Sequence, residues 1–498
     1  MKSVKLFGVA AITAAALNAG CSTIQPEPME YQAIVDSSQL DKALIFSSQE
    51  PMDDPLTLSE AMARALKYNL ENRLQLMQEA LSDASYELVK LDMLPVLAAT
   101  AGYFDRDEVD ANRSFNIITQ SDNFSFSTSQ DQEYSSADIR FAWNILDFGI
   151  SYFQARQEGD RYLLSSLARQ RVMLRLLEQT RAAYWRAVAM ESVADDLTAL
   201  LDETRNSLAQ LEQVRQDQLR PPLTTLQDTR ALVELVQQLE EMEQSVNMAA
   251  IELATLINEP PGTDIEVQIP TSLPSLPPMP QEIDRLEVLA LVNSTEYVGE
   301  LYNLRIDQLE SRKSMLRLWP GLEFSYGENY HSNSYRFHND WGLAGLRLTG
   351  NIMRLLARDE IKTQNAAREQ FAIARRMTMN MATIAQLHLA WMQYGNTLQR
   401  LERAEQLDSV DQDISMLSEQ SRASNATSGI QQIQTEARAL RSRMSSLMAY
   451  AEAHASYGSV LSSMSLNPVP AEYQTFELDE LAAELTAAYG DWETAILN

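Results

Sequence analysis

The stretch from residue 150 to 220 constrains the fold more than any other, because its apolar residues recur at helical spacing and nothing in it stops a helix. After Gly159 no glycine or proline occurs until Pro221, and those are the residues that end or kink helices. At 1.5 Å per residue such a helix is about 105 Å long, against about 12 residues for an ordinary globular helix. No compact core covers that length, so the helix must lie against other long helices. Just upstream, Ile139, Phe141, Trp143 and Ile145 alternate with Asp138, Arg140, Ala142 and Asn144, the period-two signature of a strand. A strand therefore feeds one very long helix.

Partners of matching length are present twice. Thr57 to Glu60 reads as a capping box, with the carboxylate reaching back to the start of a helix over 57–93. Pro95 ends it, and Val96 to Phe104 alternates again. A polar stretch, 105–135, leads back to the first strand. Beyond the long helix, Pro221 and Pro222 force a turn, and a helix is expected over 223–257. A proline-rich connector, 259–281, follows, and then the pattern returns. Pro95 corresponds to Pro320 at a shift of 225, and Asn144-Ile145 to Asn351-Ile352 at a shift of 207. The difference of 18 falls between paired strands, where an exposed loop tolerates insertion. Helices are expected over 284–318, 353–425 and 430–464, so that in each copy two short helices end to end equal one long one.

The ends of the chain read differently from its body. Lys2 and Lys5 precede an apolar run, Leu6 to Leu17, too short to remain as a membrane span. Residues 1–20 are expected to be a signal peptide. Cys21, the only cysteine, excludes an intrachain disulfide. Residues 21–56, with four prolines, read as an extended segment, 57–258 as repeat 1, 282–465 as repeat 2 and 466–498 as an acidic C-terminal segment. A net charge of −29 argues against a nucleic-acid partner, since phosphate binding needs clustered Lys and Arg.

Four alternating strands cannot close a barrel alone, and open edges are not tolerated in lipid. Ile139, Phe141, Trp143, Ile145, Leu322, Phe324 and Tyr326 fit a lipid-facing set, with polar alternates toward a wet lumen. A soluble hairpin packed on helices shows the same alternation. The N-terminal export signal with Cys21 directly behind it and the paired repeat favour a barrel shared by several chains.

Over nearly the whole mature chain the sequence resembles the TolC-like outer-membrane factor family, in its lipoprotein form. The resemblance rests on Leu58, Ala61, Ala65, Leu66 and Asn69 with Ala290, Leu291 and Asn293, on Leu94-Pro95 and Trp319-Pro320, and on Trp143 to Gly149. It implies a mainly α chain with a membrane β-barrel: a homotrimer whose 12-stranded barrel continues into a 12-helix periplasmic tunnel, with two internal repeats per chain. It also implies an inner-membrane pump and a periplasmic adaptor as partners, outer-membrane lipid around the barrel, and no cofactor. Leu17 to Cys21 resembles a lipoprotein acylation site, although Asn18 stands where a large apolar residue is usual. The helix turns at Pro221-Pro222 and just before Gly429 would form the periplasmic tip. Of the family's acidic constriction only Glu436 has a match; Ile433 occupies the other place. Gly350 to Leu356 departs from the Trp- and Gly-containing strand exit, so the last strand is expected to end differently.

His331, His338, His388 and His454 are the only histidines, and no zinc spacing, phosphate loop or nucleophile elbow occurs. An enzyme is therefore not expected. The resemblance implies a passive exit duct in a tripartite efflux system. Two readings stay open beside it: a duct for type I protein secretion, and a non-conducting coiled-coil lipoprotein that tethers the envelope.

Overall fold

The computed structural model describes residues 27–47, 49–52, 54–217, 220–263, 265–279, 282–423 and 429–497. The expected signal peptide, residues 1–20, and Cys21 lie outside them. Two long helices run through the molecule: α4 (Ile145–Gln216) with 72 residues and α8 (Arg358–Ala423) with 66. Three shorter ones accompany each. These are α2 (Leu58–Tyr68), α3 (Leu70–Leu91) and α5 (Pro222–Leu256), with 11, 22 and 35 residues. Their counterparts α6 (Ile283–Asn293), α7 (Thr295–Leu316) and α9 (Gly429–Ser463) have the same 11, 22 and 35. On the strand side the packing order is α3, α4, α7, α8; on the other side it is α5, α4, α9, α8. The body is thus four columns, two continuous and two made of stacked pieces.

Four strands extend the columns: β1 (Val96–Asp105), β2 (Glu133–Asn144), β3 (Gly321–His331) and β4 (Asp340–Thr349). They pair in that order, all antiparallel, and β1 and β4 are open edges. At each return to helix an asparagine accepts from a backbone N–H two residues on, Asn144 from Leu146 and Asn351 from Met353, which is N-cap chemistry. Gly149 follows, inside α4. A Cβ there would stand 2.9 Å from Leu316 Cδ2, so the glycine permits the close pass of α4 over α7.

Several expectations need correction. Ile145 is the first residue of α4 and not a strand residue. The segment read as extended holds a helix, α1 (Tyr31–Phe46), with no buried residue. The helix expected over 57–93 is two, divided at Asn69, whose ψ of 127° is extended and whose side chain caps α3. Ser294, 225 positions on, divides α6 from α7 in the same way. Thr57 Oγ1 does accept from Glu60 N at 3.2 Å, but the Glu60 carboxylate turns to Arg64 Nε at 2.8 Å, so the capping box is half made. The long outer loop carries two short ladders, Ala111–Asn112 with Ser127–Thr128 and Phe115–Asn116 with Ser121–Asp122. Gly350 to Leu356 does end the last strand differently: a 3-10 turn, Ile352–Ala357, precedes α8. The acidic C-terminal segment contains α10 (Leu478–Leu497), whose Leu481 and Leu485 pack on Met62 and Leu66 of α2.

Midway along the columns the connector lies across them. Leu56 N donates to Glu266 O and Gln268 N to Leu56 O, at 2.8 and 2.9 Å. Three tyrosines from three helices donate hydroxyls to its carbonyls: Tyr184 (α4) to Gln268, Tyr450 (α9) to Pro274 at 2.8 Å, and Tyr394 (α8) to Pro277. Burial pushes the Tyr184 hydroxyl up to about 12, so it stays a donor. Beside them Arg64, 2 % exposed, donates to the carbonyls of Glu50 and Pro51 at 2.8 and 2.9 Å.

Candidate functional site

Two regions carry the functional expectations, the sheet and the far ends of the helices. Register decides which strand residues share a face, because directly opposite residues point the same way. Phe141 is opposite Leu97 and Tyr326, Trp143 opposite Phe324, and Leu322 opposite Leu348. Ile139, Phe141, Trp143, Leu322, Phe324 and Tyr326 therefore lie on one face, joined by Ala99, Ala101, Leu346 and Leu348. Ile145 does not belong to it. The Phe141 and Phe324 rings meet edge to face at 6.2 Å. Most of the set is exposed, Ile139 at 57 % and Leu346 at 75 %.

The opposite face presents Thr100, Asp138, Arg140, Glu323, Ser325, Asn329 and Arg347, and Arg140 pairs with Glu323 at 2.6 Å. One sheet thus separates an apolar surface from a charged one, and both are uncovered. Among the described residues no helix is long and apolar enough to cross a membrane.

At the helical end, Pro222 is the first residue of α5 with Pro221 as its cap, and Gly429 is the first of α9. Glu436 sits two turns into α9, half-buried, and accepts from Gln432 Nε2 at 2.6 Å. It lines a groove of about 460 Å³ between α4, α8 and α9, with Asp196, Glu203, Glu419 and Arg443. Arg443 bridges to Asp196 at 3.0 Å. The groove gathers four carboxylates and one guanidinium, a negative field at the helical end. Asp196, Glu203, Glu419 and Arg443 were not singled out from sequence; only Arg443, two turns along α9, shares a helix with Glu436, and its phase was the one signal available.

The histidines are scattered. His388 Nε2 meets Glu287 at 2.7 Å, His338 packs on Phe337, and His331 ends β3. His454 is buried on α9, stacked 4.4 Å from Trp185, and neither ring nitrogen has a partner. Burial, then the nearby Arg181 charge, holds it down at about 3, so the imidazole is neutral. Among the described residues no group of three or more His, Cys, Asp or Glu could hold a metal ion.

No family model matches the chain, and no curated protein matches it. Solved structures do. The CmeC outer membrane channel of Campylobacter jejuni is 11% identical, with a TM-score of 0.65 over 89% of this chain and 94% of that one. The MtrE outer membrane channel of Neisseria gonorrhoeae, in its open state, is 14% identical, with a TM-score of 0.63 over 82% and 88%. The outer membrane protein VceC of Vibrio cholerae is 11% identical, with a TM-score of 0.62 over 82% and 96%. At these identities the likeness speaks for architecture, and by it this chain has the fold of a TolC-like outer-membrane channel.

Proposed function

We propose that three copies of the chain form an outer-membrane duct that passively exports small molecules delivered by an inner-membrane pump through a periplasmic adaptor. The observation that carries this reading is the sheet. It has one apolar and one charged face, and its two open edges run antiparallel, so identical copies can pair β1 to β4 in a closed ring. Two copies would give eight strands, a barrel whose interior side chains fill; three give twelve and leave a lumen. The same copies bring four columns each to a helical tunnel. The outer columns also show uncovered apolar seams: Leu74, Met77, Leu81 and Leu88 on α3, and Phe371, Met377, Met381 and Leu389 on α8. The fold shared with the CmeC and MtrE channels supports a duct over an enzyme or an inert tether.

In this reading Cys21 takes a lipid and fixes the chain to the outer membrane, with the helices reaching into the periplasm. The tip, from Pro221-Pro222 and Gly429 to Glu436, opens by small shifts of packed helices when an adaptor docks. The test is accumulation of a fluorescent dye in cells with and without the gene. Loss of the protein is expected to raise accumulation and re-expression to reverse it. Unchanged accumulation, with an exported protein missing from the medium, would replace small-molecule efflux by protein secretion.

A further inference from the structure

The charged face of the sheet is not charged throughout. At the end far from the helices, Phe104, Tyr134 and His331 stand side by side on β1, β2 and β3. Phe104 is opposite Tyr134, and Ser136, two residues from Tyr134, is opposite His331, which places all three on the face that carries Thr100 and Asp138. The rings are nearly parallel: Phe104 and Tyr134 lie 5.0 Å apart at 23°, and Tyr134 and His331 4.6 Å apart at 16°. Trp341, opposite Asn329 on β4, shares the face, with the Arg336 guanidinium 4.6 Å from its ring centre.

The stack is held from behind. His331 Nδ1 accepts from Asn333 N at 3.2 Å. Asn333, 4 % exposed, donates to Ser129 O at 2.8 Å and accepts from Asp131 N at 3.0 Å. Ser334 Oγ donates to Asp131 at 2.8 Å. These bonds latch the long outer loop to the short one and fix where the rings stand. Yet Phe104 is 46 % exposed. Aromatic rings aligned on the wet side of a sheet bury little there. The inner faces of the stack are taken up by its own rings; what stays open is the outer face of Phe104, a π-surface of the kind that attracts planar rings and cations.

We propose that Phe104, Tyr134, His331 and Trp341 form an aromatic collar at the outward rim of the lumen, a weak exit site for planar aromatic cations. The inference rests on the duct reading. Closing the ring through β1 and β4 brings the Trp341 of a neighbouring copy to the Phe104 side of the stack, so the collar continues from copy to copy.

The test is block of single-channel current in planar bilayers by the full-length protein, with ethidium or tetraethylammonium added on the outward side. Both are monovalent cations; only ethidium is flat and aromatic. Wild type is expected to favour ethidium, and Phe104→Leu with Tyr134→Leu to lower that preference about tenfold. Phe104→Tyr, which keeps a ring, should retain it. Trp341→Leu, outside the three-ring stack, should lower it with the stack intact. Equal preference in wild type and variants overturns the collar, and so does a variant in which both blockers weaken together, the mark of a purely structural stack. Absence of current both from wild type and from Asp196→Ala, which breaks a tip-side ion pair, sinks the duct reading itself.

Discussion

The connector divides the helical body into a half next to the strands and a half toward the tip, and the two are joined differently. On the strand side the outer column is α3, whose 22 residues expose Leu70, Leu74, Met77, Leu81, Leu88 and Leu91. That spacing is the heptad seam of a coiled coil. On the tip side the column is α5, whose 35 residues expose Leu223, Leu226, Val233, Met248 and Ile251. Between Val233 and Met248 its exposed side is Gln237, Glu240, Glu241 and Gln244. Polar ties follow the same division. Near the strands Asp160, 4 % exposed, pairs with Arg305, and Gln157, 2 % exposed, accepts from Lys313 at 2.8 Å. Toward the tip the Asp196 and Arg443 side chains are 60% and 42% exposed. Of the two short columns, α3 carries the longer apolar seam and the strand-side half the more buried polar ties.

The largest effect expected from this contrast is on assembly. If the proposed oligomer forms through the α3 seam, Leu81→Asp puts a charge into it and should cost about 3 kcal/mol or more per copy; light scattering in detergent is then expected to show an oligomer for wild type and a monomer for the variant. Val233→Asp on α5 should leave the oligomer intact; equal dissociation would erase the difference between the halves. Next, Asp160→Ala removes the buried partner of the half-exposed Arg305 and should destabilise by about 1 to 2 kcal/mol in thermal melts.

His454 lies where the halves meet, on the α4–α9 interface between Trp185 and Tyr450 with Arg181 nearby. Its folded value of about 3 lies below the usual 6.5. Below pH 6.5 the unfolded chain takes a proton that the folded chain refuses, so stability falls as pH drops, by about 1.4 kcal/mol per unit. At pH 5 the loss relative to pH 7 is about 2 kcal/mol, and His454→Phe should remove that part of the pH dependence. Hydrogen exchange at pH 5 should quicken in α9 before α7. The smallest effect is at the tip: Asp196→Ala breaks an exposed pair and should cost about 0.5 kcal/mol, while raising the fraction of time the current is open. A loss as large as that of Asp160→Ala would show that the tip is tied as firmly as the other half.

The sequence made the long helices legible because the absence of glycine and proline over 160–220 is a negative signal that few other folds produce. Alternation likewise placed Phe141, Trp143, Phe324 and Tyr326 on one face. Ile145 misled because its apolar side chain continued the period-two pattern into a helix that Asn144 had already capped. Asn69 and Ser294 hid two helix breaks, since neither residue forbids a helix and only ψ reveals the cap. At the helical end, Glu436 was readable and its groove was not, because Asp196, Glu203 and Glu419 come from helices far apart in sequence. The aromatic stack escaped for a related reason. Phe104, Tyr134 and His331 come from three strands, and only register shows that they meet.

The matched lengths of the short helices, 11, 22 and 35 residues in both sets, turn chain length into a shared ruler. One residue added to α3 alone would turn everything beyond it by about 100° and push it along by 1.5 Å, carrying the seam off its neighbour. A change that keeps the columns flush removes whole heptads at one level from all of them. The reach of the assembly is therefore adjustable in steps of about 10 Å, while its bore, set by how many columns stand side by side, is not.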